Sequence, residues 1–252
     1  MISRACSSVL VACALGAGGC DASFAPIGLQ KECPVNPIRG PVEAAKDQPP
    51  ELMISDFDSG TIGNPALPLL NQVVGRDGSW VAGAAATTID YTADGSSECS
   101  ARGTHAGHFT ISGPWASWGV NWTALFHPPI TTASGASEAV PYDGRNYSGI
   151  SLWAAFGSKN PADFDVRIGI STMDTAWNGG ICVSPNCSDH YLTAIKPAKL
   201  SWQKFSVQFS EMKQMGYGAP QVPTMRKDQM VGFIIWPTQQ FDIWIDDVRF
   251  EP

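Results

Sequence analysis

Charge is scarce in this sequence. Asp, Glu, Lys and Arg make up 15% of its 252 residues, and the balance is acidic, with a formal net charge of −7 and an isoelectric point near 5.0. That argues against a nucleic-acid partner, which draws on a clustered positive field along its phosphates. It leaves a neutral ligand such as a glycan open. Amphipathic helical pattern is also missing: no stretch of about 10–15 residues with a helical period separates the apolar runs, which argues against βαβ architectures. Histidine is limited to four residues. His105 and His108 fall on opposite faces of one extended stretch and cannot hold a metal jointly, and His127 and His190 stand alone. There is no Gly-x-Ser-x-Gly elbow, no His-Glu-x-x-His pair and no EF-hand loop, so three common catalytic or metal-binding signatures are absent. A glycosidase needs two carboxylates about 5–10 Å apart across the bond. Asp143, Asp165, Asp174 and Glu211 are available, but nothing nominates a pair, so no catalytic residues are assigned. A polysaccharide-acting hydrolase or lyase stays only as an alternative.

Long hydrophobic runs are lacking as well. The apolar stretch from Ser8 to Leu15 is too short to span a bilayer. It follows the positive Arg4 and is closed by the small residues Ala17-Gly18-Gly19-Cys20, which is the pattern of a signal peptide over residues 1–19. The tetrapeptide resembles a bacterial lipobox, with Ala17 where Leu is more typical. Cys20 would then be the lipidated first residue of an exported, envelope-anchored or extracellular protein, held to the membrane by acyl burial alone. Cleavage at a nearby small residue, with ordinary secretion, is the alternative. Residues 20–50 carry Pro26, Pro34, Pro37, Pro41, Pro49 and Pro50 and read as a tether. Of the seven cysteines, Cys6 and Cys13 fall in the leader and Cys20 at the anchor, which leaves Cys33, Cys99, Cys182 and Cys187. Cys182 and Cys187 enclose a short Val-Ser-Pro-Asn loop that a local disulfide could close, and Cys33 would then pair with Cys99. Zinc is the weaker reading, because Cys33 and Cys99 are scattered.

What remains, residues 51–252, reads as a β-sandwich domain of strands joined by loops and turns. The C-terminal run Phe241-Asp-Ile-Trp-Ile-Asp-Asp-Val-Arg-Phe250 alternates through 245, slips by one and resumes at Val248 and Phe250. Such a slip predicts a β-bulge at Asp246-Asp247. The first strand candidate, Leu52 to Asp58, carries the same mixture of apolar residues and carboxylates, and the two ends are expected to meet. Between them, Ile150, Leu152 and Phe156 alternate against Trp153, and Val166, Ile168 and Ile170 against Arg167. Trp202 precedes the well-patterned Phe205, Val207 and Phe209 and is read as structural. Met230 to Trp236 is apolar on both faces and suits a central strand buried on both sides, or a core strand under a loop.

Taken in order, Tyr147-Ser-Gly-Ile150, Leu152-Trp153, Trp202-Gln-Lys-Phe205, Phe209, Gln214-Met-Gly-Tyr-Gly218 and Phe241 to Val248 resemble the galactose-binding-like jelly rolls of bacterial secreted proteins. These include the family 11 carbohydrate-binding modules and the domains related to complex I intermediate-associated proteins. The resemblance covers roughly residues 52–250. It implies an all-β, two-sheet jelly-roll sandwich, a glycan on a concave sheet face, and in many members a structural calcium ion between the first and last strands. The group also holds proteins that bind no carbohydrate.

Two candidate sites follow. Calcium takes about six to eight oxygen ligands, and like charges at a sheet end are costly without a cation. Asp56 and Asp58 on one terminal strand, with Asp246 and Asp247 on the other, are the expected calcium ligands. A sugar ring stacks its apolar face on an aromatic side chain and needs planar polar partners for its hydroxyls. Trp153 and Arg167, each opposite its strand's core residues, are expected to share one sheet face, with Trp118, Trp122, Trp177, Tyr191 and Trp244 as further candidates. The function this predicts is non-catalytic binding of a neutral polysaccharide or oligosaccharide. A structural or protein-interaction lipoprotein domain is the rival.

Overall fold

The computed structural model describes residues 33–34, 50–55, 57, 80–82, 91–94, 99–101, 106–111, 121–160, 165–182, 187–236 and 241–252. The expected leader, Cys20 as the expected lipidation site, Trp118, Asp56 and Asp58 lie outside them.

Two antiparallel sheets pack face to face as a jelly-roll sandwich, and the described residues contain no α-helix. The first sheet runs β11 (Gln203–Gln208), β8 (Gly149–Phe156), β13 (Phe241–Glu251), β4 (Ala106–Ile111) and β3 (Tyr91–Asp94), with β1 (Met53–Ser55) also paired to β13. The second runs β10 (Tyr191–Ile195), β9 (Val166–Thr172), β12 (Met230–Trp236), β5 (Trp122–Leu125) and β2 (Trp80–Ala82). A short hairpin of β6 (Ile130–Thr131) and β7 (Ser137–Glu138) stands apart.

Alternation decides the core. Ile150, Leu152, Ala154 and Phe156 of β8 face inward, as do Val166, Ile168 and Ile170 of β9 and Phe233 and Ile235 of β12. The terminal strands meet as expected: Met53 is opposite Arg249, and Ser55 is opposite Val248. The predicted bulge is present. Along β8, Asp246 is opposite Trp153 and Arg249 is opposite Ser151, so the register shifts between them. Asp247 absorbs the extra residue at φ 53, a left-handed conformation that Asp tolerates better than most residues. The shift returns Val248 and Phe250 to the core beside Ile243 and Ile245. Each buried side chain of this size contributes about 1.5–3 kcal/mol.

Both expected disulfides form, Cys33–Cys99 and Cys182–Cys187. The first lands on the outer side of the first sheet. There Cys33, Cys99 and Ala101 pack against Ala106, Trp153, Ala155, Trp202 and Trp244. The stretch after β9 folds back over part of the second sheet, where Met173 and Ala176 pack with Ala139, Leu125 and Val231. That covering explains why β12 is apolar on both faces.

Candidate ligand-binding site

The two outer faces of the sandwich differ in what they leave exposed. On the first sheet, Trp244 is buried and stacks on His108 with ring centroids 3.9 Å apart and planes 7° from parallel. His108 Nε2 lies 2.6 Å from Asp242 Oδ1, and Asp242 Oδ2 accepts the Lys159 N–H at 3.3 Å. Trp153 is half-buried under the disulfide, with its Nε1 out of reach of solvent. Asp246 Oδ2 accepts the Ala101 N–H at 2.9 Å. Asp247 is paired with Arg249, whose Nε donates to Asp247 Oδ1 at 2.6 Å, and both side chains are 5% exposed. The part of this face around Trp153, Trp244 and Asp246 is covered, while Lys204 and Ser206 on β11 stay exposed.

The calcium expectation joins Asp246 and Asp247 to Asp56 and Asp58, and the latter two lie outside the described residues. A carboxylate already gripped by a guanidinium is a poor cation ligand, and Asp246 spends an oxygen on a backbone N–H. In this arrangement Asp247 is engaged by Arg249 and one oxygen of Asp246 by a backbone N–H. Among the described residues, no group of three or more His, Cys, Asp or Glu side chains is gathered to hold a metal.

Four ligand expectations need correction. Trp122 and Tyr191 belong to the core. Trp122 points inward with Ala124 and Phe126, while Tyr191 is opposite the inward Ile170 and donates its hydroxyl to the Val222 carbonyl at 2.9 Å. Burial pushes the Tyr191 phenol up to about 12. Trp244 is likewise enclosed, though by the disulfide segment rather than by the core. Trp153 and Arg167 do not share a face. Each points away from the core, but β8 lies in the first sheet and β9 in the second, so they stand on opposite outsides of the sandwich.

On the second sheet, Arg167 lies between Ala194 of β10 and Trp236 of β12, its cross-strand partners. Its Nη1 donates to Met215 Sδ at 2.9 Å. Met215 and Tyr217, in the loop after β11, are 48% and 55% exposed. That loop is held by one carboxylate. Asp189 Oδ1 accepts the Met215 N–H at 2.7 Å. Asp189 Oδ2 accepts from Gly216 N at 2.9 Å, Gly218 N at 3.0 Å and Gln221 Nε2 at 2.8 Å. Burial alone would raise the Asp189 pKa, but the Gln221 amide and the three backbone N–H groups together hold it below the ordinary carboxylate value. Gly216 makes the turn possible at φ 93. Tyr217 donates its hydroxyl to the Ser188 carbonyl at 2.7 Å. Partial burial, then the Asp189 charge, push its phenol up to about 12, while Arg167 pulls it the other way.

Behind Trp236 stands the buried His190, with ring centroids 5.8 Å apart in an edge contact. His190 Nδ1 lies 2.8 Å from Thr175 Oγ1, and burial pushes the imidazole down to about 3. The structure thus brings together Arg167, Trp236, Met215 and Tyr217. Trp177 sits in the excursion after β9, 70% exposed, with no described contact to these four. Trp236, Met215, Tyr217 and Asp189 were not anticipated. Trp236 has the parity opposite to Phe233 and Ile235, which is a readable signal. The Asp189 clamp has none, because its partners lie 26 to 32 residues away.

No protein-family model and no curated protein matches the chain. Solved structures do resemble it. The family 11 carbohydrate-binding module from Clostridium thermocellum, in complex with a β-1,3-1,4-mixed-linked tetrasaccharide, is 15% identical with a TM-score of 0.49 over 79% of this chain and 94% of that one. The family 11 module of the cellulosomal cellulase Lic26A-Cel5E of Clostridium thermocellum is 14% identical at 0.47, covering 79% and 92%. The CBM22-1 xylan-binding domain of Paenibacillus barcinonensis Xyn10C is 14% identical at 0.37, covering 78% and 90%. At these identities the likeness is one of sheet architecture, and no residue here takes a role from it.

Proposed function

We propose that the chain binds an oligosaccharide or polysaccharide, without catalysis, on the open part of the second sheet's outer face. The observation that carries this reading is the placement of Arg167 and Trp236 side by side on neighbouring strands, with Tyr217 and Met215 exposed beside them. An indole and a phenol supply flat apolar surface for the C–H face of a pyranose, and the guanidinium supplies fixed donors for its oxygens. Asp189 has both oxygens committed to N–H donors, which suits it to positioning the loop rather than to proton transfer.

A glycan array probed with the full chain, followed by calorimetry on the best hit, tests the reading. Trp236→Ala and Tyr217→Ala should each weaken binding at least several-fold, with circular dichroism unchanged. Retention of no glycan, or unchanged affinity in both folded variants, would remove the patch as a binding site. The rival protein-interaction reading draws on the exposed Trp177 and Ile181, at 70% and 42%. It predicts that Trp177→Ala, and not Trp236→Ala, disturbs association with a partner. Export and acylation at Cys20 belong to the same proposal, and mass spectrometry of the mature N-terminus decides them.

A further inference from the structure

We infer that the glycan bound on this patch is acidic, a uronate polymer whose carboxylate is taken by Arg167. The inference rests on the reading above and changes its ligand class from neutral to anionic. Four arginines fall among the described residues, and three of them face an acid: Arg145 with Asp143, Arg226 with Asp174, and Arg249 with Asp247. Arg167 faces none. Its guanidinium meets only the Met215 thioether, a weak acceptor, and no described carboxylate pairs with it. It is half-buried on an interior strand, flanked by β10 and β12, with its Met215 contact at the exposed surface.

Two nearby acids do not serve it. Asp189 lies under the Met215–Gly218 turn with both oxygens held by N–H donors. Asp165, exposed and two residues earlier on the same parity, makes no ion pair with Arg167. The planar fork of a guanidinium matches a carboxylate through two parallel hydrogen bonds, which Lys does not reproduce. A uronate ring offers such a carboxylate together with an apolar C–H face, and Trp236 and Tyr217 stand beside the cation to receive that face. Lys213, exposed and bridged to Leu192 at the sheet edge, adds a second cation toward the same side. The overall charge of −7 opposes a polyanion at long range, so this binding should weaken at very low salt, where that repulsion is least screened.

The experiment compares three defined oligosaccharides on the full chain by calorimetry: an oligogalacturonate, its methyl ester, and a neutral mixed-linkage glucan of the same length. The acid should bind at least tenfold tighter than its ester. Arg167→Gln should collapse that acid-to-ester ratio toward one, and Arg167→Lys should restore it only in part. If the ester or the neutral glucan binds as well as the acid, the ligand is neutral and this inference falls while glycan binding on the patch stands. If none of the three binds, and the array also retains nothing, the glycan reading itself fails.

Discussion

The buried imidazole of His190 sets a pH dependence whose size can be worked out. Its ordinary value is near 6.5, and burial lowers it to about 3 in the folded chain. Below pH 6.5 the unfolded chain takes up a proton that the folded chain refuses until about pH 3. Stability is therefore fully present above 6.5 and declines as the pH falls through that window, by about 1.4 kcal/mol for each unit. Between pH 6.5 and 4.5 the loss is about 3 kcal/mol, a large share of the roughly 5–15 kcal/mol that holds a typical domain together. Asp189 acts at a lower pH. Its depressed carboxyl contributes stability above its unfolded value of 3.8, lost only as the pH falls further. The two windows barely overlap.

Urea unfolding followed by tryptophan fluorescence, at half-unit steps from pH 7.5 to 4.5, measures the slope. His190→Gln removes the titration and keeps a hydrogen-bonding group for Thr175. Other carboxylates titrate in both proteins, so the difference between the curves isolates the imidazole. The wild type should lose about 1.4 kcal/mol per unit more than the variant below 6.5. Parallel curves would refute the claim that the folded state excludes the proton. Because the folded imidazole stays neutral down to about pH 3, its contact with Trp236 should be unchanged over the measured range.

Two further outcomes follow from covalent and ionic links. Chain-entropy arguments applied to sequence separations of 66 and 5 give about 4 kcal/mol for Cys33–Cys99 and about 2 kcal/mol for Cys182–Cys187. Cys33→Ala/Cys99→Ala should thus lower the urea midpoint clearly more than Cys182→Ala/Cys187→Ala, and the reverse order would contradict the entropic account. Asp247→Asn tolerates the left-handed backbone but leaves Arg249 buried without its counter-charge, which should cost on the order of 3 kcal/mol. Adding chelator should leave the wild-type melting curve unchanged, and a fall reversed by calcium would show that the carboxylates of this region hold a cation after all.

Much of the fold was readable because it is written locally. The alternation of β8 and β9 and the slip at Asp246-Asp247 each depend on a few adjacent residues. The short Cys182–Cys187 loop left Cys33 and Cys99 for each other. The meeting of Met53–Ser55 with β13 needed only a shared pattern at the two ends. The candidate site was readable in part. Parity told that Trp153 and Arg167 both point away from the core, but a sandwich has two outsides, and parity does not say which sheet a strand joins. Trp122 and Tyr191 failed for a related reason: an aromatic at an inward position and one at an outward position look alike until the neighbours are known. Asp189 lay beyond reach altogether, since a carboxylate that fastens a loop 26 residues away leaves no local pattern.

The covering of the first sheet favours the second as the place of the proposed ligand patch. On the first outer face three charged or polar groups are matched within the chain, Asp242 to His108, Arg249 to Asp247 and the Ala101 N–H to Asp246, while the Trp153 and Trp202 indole nitrogens are buried. Its tryptophans lie under a covalently fastened segment. A ligand entering there would have to displace that segment and break matched pairs, gaining little that the protein does not already supply. On the second face the covering stretch after β9 reaches Leu125 and Val231 but leaves the Ala194–Arg167–Trp236 row. There, among the described residues, the Arg167 guanidinium faces no acid, and the half-buried Trp236 and the exposed Tyr217 lie beside it. The interaction missing from that row is the one a carboxylate on a sugar would complete.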